Sequence, residues 1–240
     1  MKGVILAGGT GSRLLPLTRS TNKHLLPVGP VQMIIHCINK LTEAEIKDIL
    51  VVTGVEHVSD MIRLLGSGKQ YGCEITYKVQ DDSLGIAHAL YLARDFCRDS
   101  KLVVLLGDNI FEDSLLDSVN KFKSSNLSSM LFLKEVSNPE RYGVAVLDDE
   151  RTKILKLVEK PSDYISNLCV TGIYMYTNDV FDIIKDIKPS KRGEYEISSV
   201  NDELRKLGAC DFTMLQGWWT DAGTMKSYKI ANEFAWNSET

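Results

Sequence analysis

Three glycines and two cations near the start of the chain have the composition of a phosphate-binding loop. Gly8, Gly9 and Gly11 stand within four residues, and Arg13 and Lys23 follow them. Glycine has no Cβ, so a ligand can approach the backbone closely, and successive amide N–H groups form an anion-binding concavity. Two cations beside that concavity favour a ligand with several phosphates. The alternative for the glycines alone is a plain strand-to-turn junction.

Two commoner phosphate loops do not fit this stretch. A P-loop requires G-x-x-x-x-G-K-[ST], and the sequence has no Gly-Lys-Ser or Gly-Lys-Thr. A dinucleotide fingerprint requires G-x-G-x-x-G at the start of a helix. Gly9-x-Gly11 begins that pattern, but Leu14 takes its third position and Pro16 would disrupt a helix already under way. The residues therefore predict a phosphate loop of another kind.

Two aspartates are candidate ligands of a divalent metal. Asp108 follows an apolar strand and a glycine, and Asp221 lies in a short segment between Trp219 and Gly223. Mg²⁺ takes oxygen ligands and keeps substrate phosphates as partners, so the two carboxylates could complete one metal site. The alternative for Asp108 is the N-cap of a following helix, a role that Asp favours.

Polar side chains elsewhere could bind a sugar phosphate and a base. Glu159 could accept hydrogen bonds from sugar hydroxyls and Lys160 could hold a phosphate; neighbours in a strand face opposite sides, so the two need not pair. The alternative for both is a solvated hairpin edge. Arg192, before a glycine, is a further cation that would by default be exposed. Gln80 can donate and accept hydrogen bonds, as the reading of a pyrimidine edge requires; the alternative for this glutamine is a surface residue.

Strands that alternate with helices must position these residues. The predicted strands are 4–7, 48–53, 74–79, 101–106 and 129–133, and the predicted helices are 31–41, 58–65, 86–96 and 115–122. This alternation predicts a parallel sheet covered on both faces, with ligands beyond the carboxyl ends of the strands. Gly8, Gln80 and Asp108 all follow strand ends, so they form one candidate site.

The second half is less regular and predicts a smaller β-rich lobe. Strands are expected at 144–147, 154–158 and 167–176, helices at 179–187, 197–207 and 224–236, and a loop at 218–223. The fold is thus expected to be one α/β domain, Rossmann-like, with a mixed, mainly parallel central sheet flanked by helices. Residues 1–135 would be its nucleotide-binding half and 136–240 its sugar-binding half. Trp218, Trp219 and Trp236 are expected to be packing residues, although Trp219 could wall a sugar pocket.

The composition argues against several classes of protein. The net charge of 28 − 32 = −4 gives no general attraction to nucleic acid or an anionic membrane. No apolar run reaches the roughly 18 residues of a membrane span, and the N-terminus enters a strand at once, so a cytoplasmic protein is expected. Five cysteines without C-x-x-C suggest neither disulfides nor a zinc site. They are expected to be buried apolar residues.

The motifs together resemble those of the sugar-1-phosphate nucleotidyltransferases, in particular of bacterial members that use dTTP and glucose 1-phosphate. The opening string G-G-T-G-S-R-L-L-P-L-T is followed by N-K-H-L-L-P-V. Further motifs follow in register at 79–80, 85–87, 106–109, 139–144, 159–161, 170–174, 192–194 and 219–224. The resemblance implies the nucleotide-diphospho-sugar transferase fold.

The resemblance also implies a reaction. A phosphate oxygen of glucose 1-phosphate would attack the α-phosphorus of dTTP to give dTDP-glucose and pyrophosphate, with Mg²⁺, in nucleotide-sugar and polysaccharide biosynthesis. The nucleophile is already ionised, so positioning and charge neutralisation would suffice. A homo-oligomer, either a dimer or a tetramer, is implied as well. The alternatives are UTP or another sugar 1-phosphate, or a non-catalytic nucleotide-sugar binding paralogue; a nicotinamide dehydrogenase fits only Gly9-x-Gly11.

The same resemblance implies a role for each matching residue. The expected nucleotide-binding residues are Leu6, Gly8, Gly9, Thr10, Gly11, Ser12, Arg13, Lys23, Gln80, Gly85 and Asp108. The expected ligands of the sugar phosphate are Asn109, Tyr142, Gly143, Glu159, Lys160, Val170, Tyr174, Arg192 and Trp219. Asp108 and Asp221 would bind Mg²⁺. The expected catalytic residues are Arg13, Lys23, Asp108 and Lys160, with Lys23 stabilising the phosphoryl group under attack.

The chain departs from the family pattern at two places. Gln32 stands where the family usually has proline, and only a local effect at the start of the next helix is expected. Longer relatives carry extra C-terminal helices linked to an allosteric nucleotide site. Whether the resemblance extends to feedback inhibition by a dTDP-sugar is therefore left open.

Overall fold

The apolar stretches of the sequence form a central sheet with helices on both faces. The computed structural model describes residues 1–237. The strands are β1 (Lys2–Ala7), β2 (Pro27–Val28), β3 (Val31–Gln32), β4 (Asp48–Gly54), β5 (Glu74–Gln80), β6 (Leu102–Leu106), β7 (Asn109–Phe111), β8 (Ser129–Glu135), β9 (Gly143–Leu147), β10 (Ile154–Glu159), β11 (Leu168–Tyr176), β12 (Cys210–Met214) and β13 (Trp219–Asp221). The helices are α1 (Met33–Glu43), α2 (Val58–Leu65), α3 (Ile86–Tyr91), α4 (Arg94–Cys97), α5 (Leu116–Ser124), α6 (Asp179–Asp186), α7 (Ile197–Lys206) and α8 (Met225–Asn237).

Nine strands form one mixed sheet. Its main path runs β10-β9-β11-β6-β1-β4-β5, with β8 paired to β11 and β12. Strand β1 is parallel to β4 and to β6, and β4 is parallel to β5. Strand β11 joins the second half to this parallel part by antiparallel pairing with β6. The parallel pairing of the first half, the 144–158 hairpin and the α/β fold class are therefore confirmed.

The sheet is buried on both faces, as its nearly continuous apolar strands require. Along β1, Ile5 and Ala7 belong to one apolar cluster, which also contains residues of α1 and α5. Val4 and Leu6 point to the other face and pack with residues of α3 and α7. Because successive side chains of a strand alternate between faces, one six-residue strand contributes to both cores. None of the helices within residues 1–237 has the length and apolar character needed to cross a bilayer.

Several local predictions differ from the structure. The helix predicted at 86–96 is two helices, since Ala93 N donates to Leu90 O, an i→i−3 bond that tightens the turn between them. The helix predicted to begin at residue 31 begins at Met33, because the two preceding residues form β3. Strand β12 was not predicted. Trp236, expected to be a packing residue, is 55% exposed.

The segment 218–223 was predicted to be a loop, and this is also wrong in part. Trp219–Asp221 forms β13, which pairs antiparallel with β7. Asp108 lies between β6 and β7, so the alternative that it caps a helix is excluded. Each strand of this pair has three residues. Strands of three residues are too short to show a periodic pattern in the sequence. They form here because distant parts of the chain meet.

Candidate active site

The glycine-rich segment leaves β1 at the carboxyl edge of the parallel strands. Gly11 has a φ of +68°, a left-handed conformation that glycine adopts without steric cost. Its carbonyl oxygen accepts a hydrogen bond from Thr18 Oγ1 at 2.8 Å. The next residues, Ser12–Leu14, form a single 3₁₀ turn that buries Leu14. The glycines therefore form a true loop, and no α-helix follows them directly.

Asn22 fixes the position of Lys23, the cation beside this loop. The Asn22 amide donates to Ala7 O at 3.1 Å, and its Oδ1 accepts from the backbone N–H of His24 at 2.9 Å and from His24 Nδ1 at 2.7 Å. Burial, followed by the charge of Lys23, lowers the pKa of His24 to about 3, despite the opposing charge of Asp108. The His24 ring is therefore neutral at pH 7 and adds no charge to the site.

Lys23 and Asp108 form a buried ion pair at the centre of the site. Lys23 Nζ lies 2.5 Å from Asp108 Oδ2, and the two side chains are only 12% and 11% exposed. Burial by itself raises the pKa of Asp108, but the charge of Lys23 and hydrogen bonds from Lys23 and Asn109 hold that pKa well below its usual range. Asp108 is therefore an ionised carboxylate that a cation must accompany.

The pairing of β7 with β13 brings the second aspartate to this carboxylate. Asp221 is opposite Asn109 in the register, and Ala222 N donates to Asp108 O at 2.7 Å. A Cβ built on Gly223 would lie 3.1 Å from Asp108 Oδ2 and 3.7 Å from Asp221 Oδ2. The two carboxylates thus face the same small space, and glycine leaves that space open.

The two carboxylates fit a divalent cation with oxygen ligands. Burial, and then the negative charge of Asp108, raise the pKa of Asp221, so the two groups repel one another as they stand. Tyr142 OH donates to Asp221 Oδ1 at 2.9 Å and fixes its orientation. Among residues 1–237 no cluster of three or more His, Cys, Asp or Glu is placed to hold a metal. A cation here would therefore need phosphate or water oxygens as well, which is the coordination that Mg²⁺ prefers.

Two cavities meet at Asp108. The larger, about 610 Å³, is lined by the predicted nucleotide-binding residues: Leu6, Gly8, Gly9, Thr10, Gly11, Ser12, Arg13, Lys23, Gln80, Gly85 and Asp108. The smaller, about 140 Å³, is lined by Asn109, Tyr142, Gly143, Glu159, Lys160, Val170, Tyr174, Trp219 and Asp221. Ile86, Leu106, Asp108 and Lys160 line both cavities. Two ligands could therefore meet beside Asp108 and Lys160.

Asn109 and Trp219 shape the smaller cavity, and their polar atoms are already engaged. Asn109 Oδ1 accepts from Gly172 N at 2.9 Å and from Trp219 Nε1 at 2.8 Å. The Asn109 amide donates to Asp108 Oδ1 at 3.1 Å. Trp219 is buried and meets the Tyr142 ring edge-on, with 5.6 Å between centroids. Trp219 was expected to wall a sugar pocket, and in the structure it lines the smaller cavity.

The charged residues between the cavities are arranged differently from the expectation. Lys160 follows β10 with a φ of +41°, so strand alternation does not apply to it, and its Nζ pairs with Glu159 Oε1 at 3.2 Å. Arg192, expected beside the sugar phosphate, lines the larger cavity instead. Its guanidinium is also not free, since it bonds Glu196 Oε1 at 2.8 Å and approaches Glu159 at 3.5 Å. Glu159 thus has a cation on either side.

Polar residues of α7 that were not predicted from the sequence line the smaller cavity. Ser198 is buried, and its Oγ has no hydrogen-bond partner among the described residues. Asn201 is buried and accepts from Tyr176 OH at 2.6 Å. Asn201 lies four residues after Ile197 and thus on the apolar face of the helix. The signal available from the sequence was a polar residue, Asn201, among the apolar residues on one face of α7. Ser198 gave no such signal, because a serine at the start of a helix is typical of a cap.

The sheet, the glycine loop and the two carboxylates that face one space fit an α/β protein that acts on phosphate compounds. In agreement, residues 2–238 match the nucleotidyl transferase family, and the chain belongs to that family. It is 41% identical over 234 residues, 97% of its length, to the low-salt glycan biosynthesis nucleotidyltransferase Agl11 of Haloferax volcanii. It is 38% identical over 98% of its length to glucose-1-phosphate thymidylyltransferase of Neisseria meningitidis. The chain spans 65% of the Haloferax relative and 82% of the Neisseria relative.

Solved structures share the whole fold. One, assigned as a glucose-1-phosphate thymidylyltransferase of Bacillus anthracis and bound to sucrose, has a TM-score of 0.94 and 48% identity, over 99% of this chain and 96% of that one. A UDP-glucose pyrophosphorylase with UDP-glucose has a TM-score of 0.87 and 25% identity, over 99% and 98% of the two chains. The same fold thus occurs in a protein named as a thymidylyltransferase and in one named as a UDP-glucose pyrophosphorylase.

Proposed function

We propose that this chain transfers a thymidylyl group from dTTP to α-D-glucose 1-phosphate, giving dTDP-glucose and pyrophosphate. The observation that carries the proposal is the pair of cavities that meet at Asp108 and Lys160. One cavity has a glycine loop with cations for a triphosphate, and the other has hydroxyl-binding groups beside a lysine. Relatives named glucose-1-phosphate thymidylyltransferase, 38% identical over nearly the whole chain, support the choice of substrates.

The triphosphate would lie along the glycine loop, where backbone N–H groups, Arg13 and Lys23 supply positive charge. The base would lie over Leu6 and Gly85, against Gln80. An added Cβ on Gly85 would lie 2.6 Å from Tyr195 O, so glycine allows the 194–195 backbone to close the end of this pocket. The loop and the base site together would leave the α-phosphate near Asp108.

The sugar phosphate would occupy the smaller cavity. Its hydroxyls would meet Glu159, the backbone of Gly143 and Val170, and its phosphate would meet Lys160. A phosphate oxygen would form a new bond to the α-phosphorus while the bond to the β-phosphate bridging oxygen breaks, and pyrophosphate would leave with that electron pair. Lys23 would neutralise charge on the phosphoryl group under attack. No general base is required, because the attacking phosphate is already ionised.

Asp108 and Asp221 would hold Mg²⁺, whose chemistry here is the neutralisation of phosphate charge. This assignment rests on two carboxylates that face one space and repel each other. In the structure the Lys23 ammonium pairs with Asp108 Oδ2. If a metal cation bound Asp108 Oδ2, the ammonium could turn towards a phosphate. The Tyr142 hydroxyl would keep Asp221 in position in either case.

The proposal is tested by measuring pyrophosphate release. The purified chain is incubated with Mg²⁺, each nucleoside triphosphate in turn, and glucose, galactose or N-acetylglucosamine 1-phosphate. The expected result is the highest kcat/KM with dTTP and glucose 1-phosphate, and loss of activity in EDTA or in Asp108→Asn. Preference for UTP would assign the chain to uridylyl transfer, and no release with any pair would contradict the proposal. Light scattering tests the implied homo-oligomer.

A further inference from the structure

Gln80 is a buried polar residue at the wall of the larger cavity. It ends β5, is only 6% exposed, and lines the cavity together with Gly8. Its Oε1 lies so close to the α-carbon of Gly8 that a Cβ there would overlap it. The carboxamide oxygen therefore faces the glycine loop, and the absence of a side chain on Gly8 makes room for it.

The other end of this carboxamide meets a histidine from the neighbouring helix. Gln80 Nε2 lies 3.3 Å from Nδ1 of His88, a residue of α3. An amide nitrogen only donates hydrogen bonds, so Nδ1 accepts here and the ring proton is on Nε2. A ring protonated on Nδ1 would instead hold the carboxamide in the reverse orientation. The ring nitrogen of His88 that carries the proton therefore decides which end of the Gln80 amide faces the loop.

The two orientations of the carboxamide recognise different bases. Its oxygen accepts a hydrogen bond and its nitrogen donates one, while the shape of the group is nearly the same in both orientations. Thymine and uracil carry an N3–H donor, whereas cytosine has an acceptor at N3. A glutamine with Oε1 towards the nucleotide would pair with the first two bases and repel the third. A glutamine free to turn would accept all three.

We propose that His88 is a positioning residue for base selection: it anchors the Gln80 amide so that Oε1 faces the nucleotide, and thereby favours pyrimidines with an N3–H over cytosine. This inference rests on the proposed function, because it takes Gln80 as the group that reads the base. His88 does not line the nucleotide cavity; it lines a separate surface cavity with Leu84, Tyr91 and Tyr195. Its effect on the base must therefore pass through Gln80.

The surrounding backbone holds His88 in place for this role. Tyr195 N donates to Leu84 O at 2.8 Å, and Ala87 N donates to Tyr195 O at 3.1 Å. These two bonds tie the first turn of α3 to the 194–195 segment, and the Tyr195 ring lies beside the imidazole, with 6.4 Å between centroids. The start of the helix that carries His88 is thus fixed to the 194–195 segment.

Two variants separate the hydrogen bond from the packing. His88→Phe keeps a planar ring and removes the acceptor. His88→Asn is smaller but places an amide oxygen near the position of Nδ1, and its helix propensity is close to that of histidine. Binding of dTTP and of dCTP is measured by titration calorimetry with Mg²⁺, and turnover of dTTP with glucose 1-phosphate is measured in parallel. Thermal melting shows that each variant is folded.

We expect His88→Phe to reduce the preference for dTTP over dCTP by about tenfold, the size of one hydrogen bond. Most of the change should appear as tighter binding of dCTP, because a carboxamide that is free to turn accepts cytosine, whereas kcat and the KM values for dTTP and glucose 1-phosphate should stay within about twofold of the wild type. His88→Asn should restore most of the preference. In a Gln80→Leu background, His88→Phe should change the preference by less than about twofold, because the group it acts through is gone.

Three results would overturn the assignment. They are an unchanged preference in His88→Phe, an equal loss in both Gln80 backgrounds, or a wild-type protein that binds dTTP and dCTP alike. Each of these leaves the proposed function standing if the wild type still releases pyrophosphate. A wild type that binds dTTP selectively but shows no turnover would contradict the proposed function and leave the role of His88 intact, and one that binds neither nucleotide would overturn both.

Discussion

Replacement of Lys23 by methionine is expected to separate nucleotide binding from turnover. Methionine keeps the length and apolar stem of lysine and removes its charge. The ammonium lies 2.5 Å from Asp108 Oδ2, and 12% of the side chain is exposed. It also lies 3.7 Å from the position of a Cβ on Gly9, so the same charge borders both the carboxylate and the loop.

The size of the effect follows from this geometry. Two unit charges about 4 Å apart interact by about 4 kcal/mol at an effective dielectric constant of 20, and loss of one preorganised donor to a developing oxyanion costs about 2.7–4 kcal/mol. The expected fall in kcat is therefore roughly 10²- to 10³-fold. The Kd for dTTP should rise by less than about tenfold, because Arg13 and the loop amides still bind the phosphates.

The same variant should lower stability in a way that Mg²⁺ offsets. Without Lys23 the ionised Asp108 is left buried and unpaired, a change that costs about 3–5 kcal/mol in comparable pairs. A cation bound only by the folded state restores stability by mass action. The melting temperature of Lys23→Met should therefore fall in EDTA and recover in millimolar Mg²⁺ more than that of the wild type.

The assay combines single-turnover rates, dTTP titration and thermal melting. Lys160→Met is the matched control, since Lys160 has the same side chain, lines both cavities and is 43% exposed. It should raise the KM for glucose 1-phosphate and leave the melting temperature nearly unchanged. Equal losses of dTTP affinity and of kcat in Lys23→Met would refute the reasoning, because they would show that Lys23 only binds phosphate.

Three other variants test separate parts of the site. Asp221→Asn should raise the Mg²⁺ concentration for half-maximal activity at least about tenfold, because one of two proposed ligands loses its charge; a metal titration checks this. Gly85→Ala should weaken dTTP binding and lower the melting temperature, since φ is +105° and the added Cβ would meet Tyr195 O; unaltered binding would contradict the close approach. Tyr176→Phe leaves Asn201 Oδ1 without its buried donor, so denaturant unfolding should show a loss of about 1–3 kcal/mol.

Much of the first half could be read directly from the sequence. The helix predicted at 58–65 agrees with the structure, and the strands predicted from 48 and from 74 begin where expected. Their apolar runs are local and periodic, and parallel strands place their carboxyl ends at one edge of the sheet. That rule was enough to bring Gly8, Gln80 and Asp108 into one candidate site, since all three line the same cavity.

The sequence could not show where distant segments join. Asp221 meets Asp108 only through the register of β7 and β13, each three residues long and more than one hundred residues apart in the chain. Arg192 matches a motif of the sugar site but faces the other cavity, because Glu196 and Glu159 hold its guanidinium. Such choices depend on which charged side chains lie within reach of one another once the distant segments have packed.

The sequence by itself determined the alternating elements, the glycine-rich loop at the end of β1 and the residue types of the candidate site. Those features depend on local spacing and on the chemistry of single side chains. The tertiary structure alone decided that Lys23 pairs with Asp108, that Ser198 and Asn201 line the smaller cavity, and that His88 bonds Gln80. The physical reason is that burial and hydrogen bonding between remote elements fix these contacts, and no local period of the chain records them.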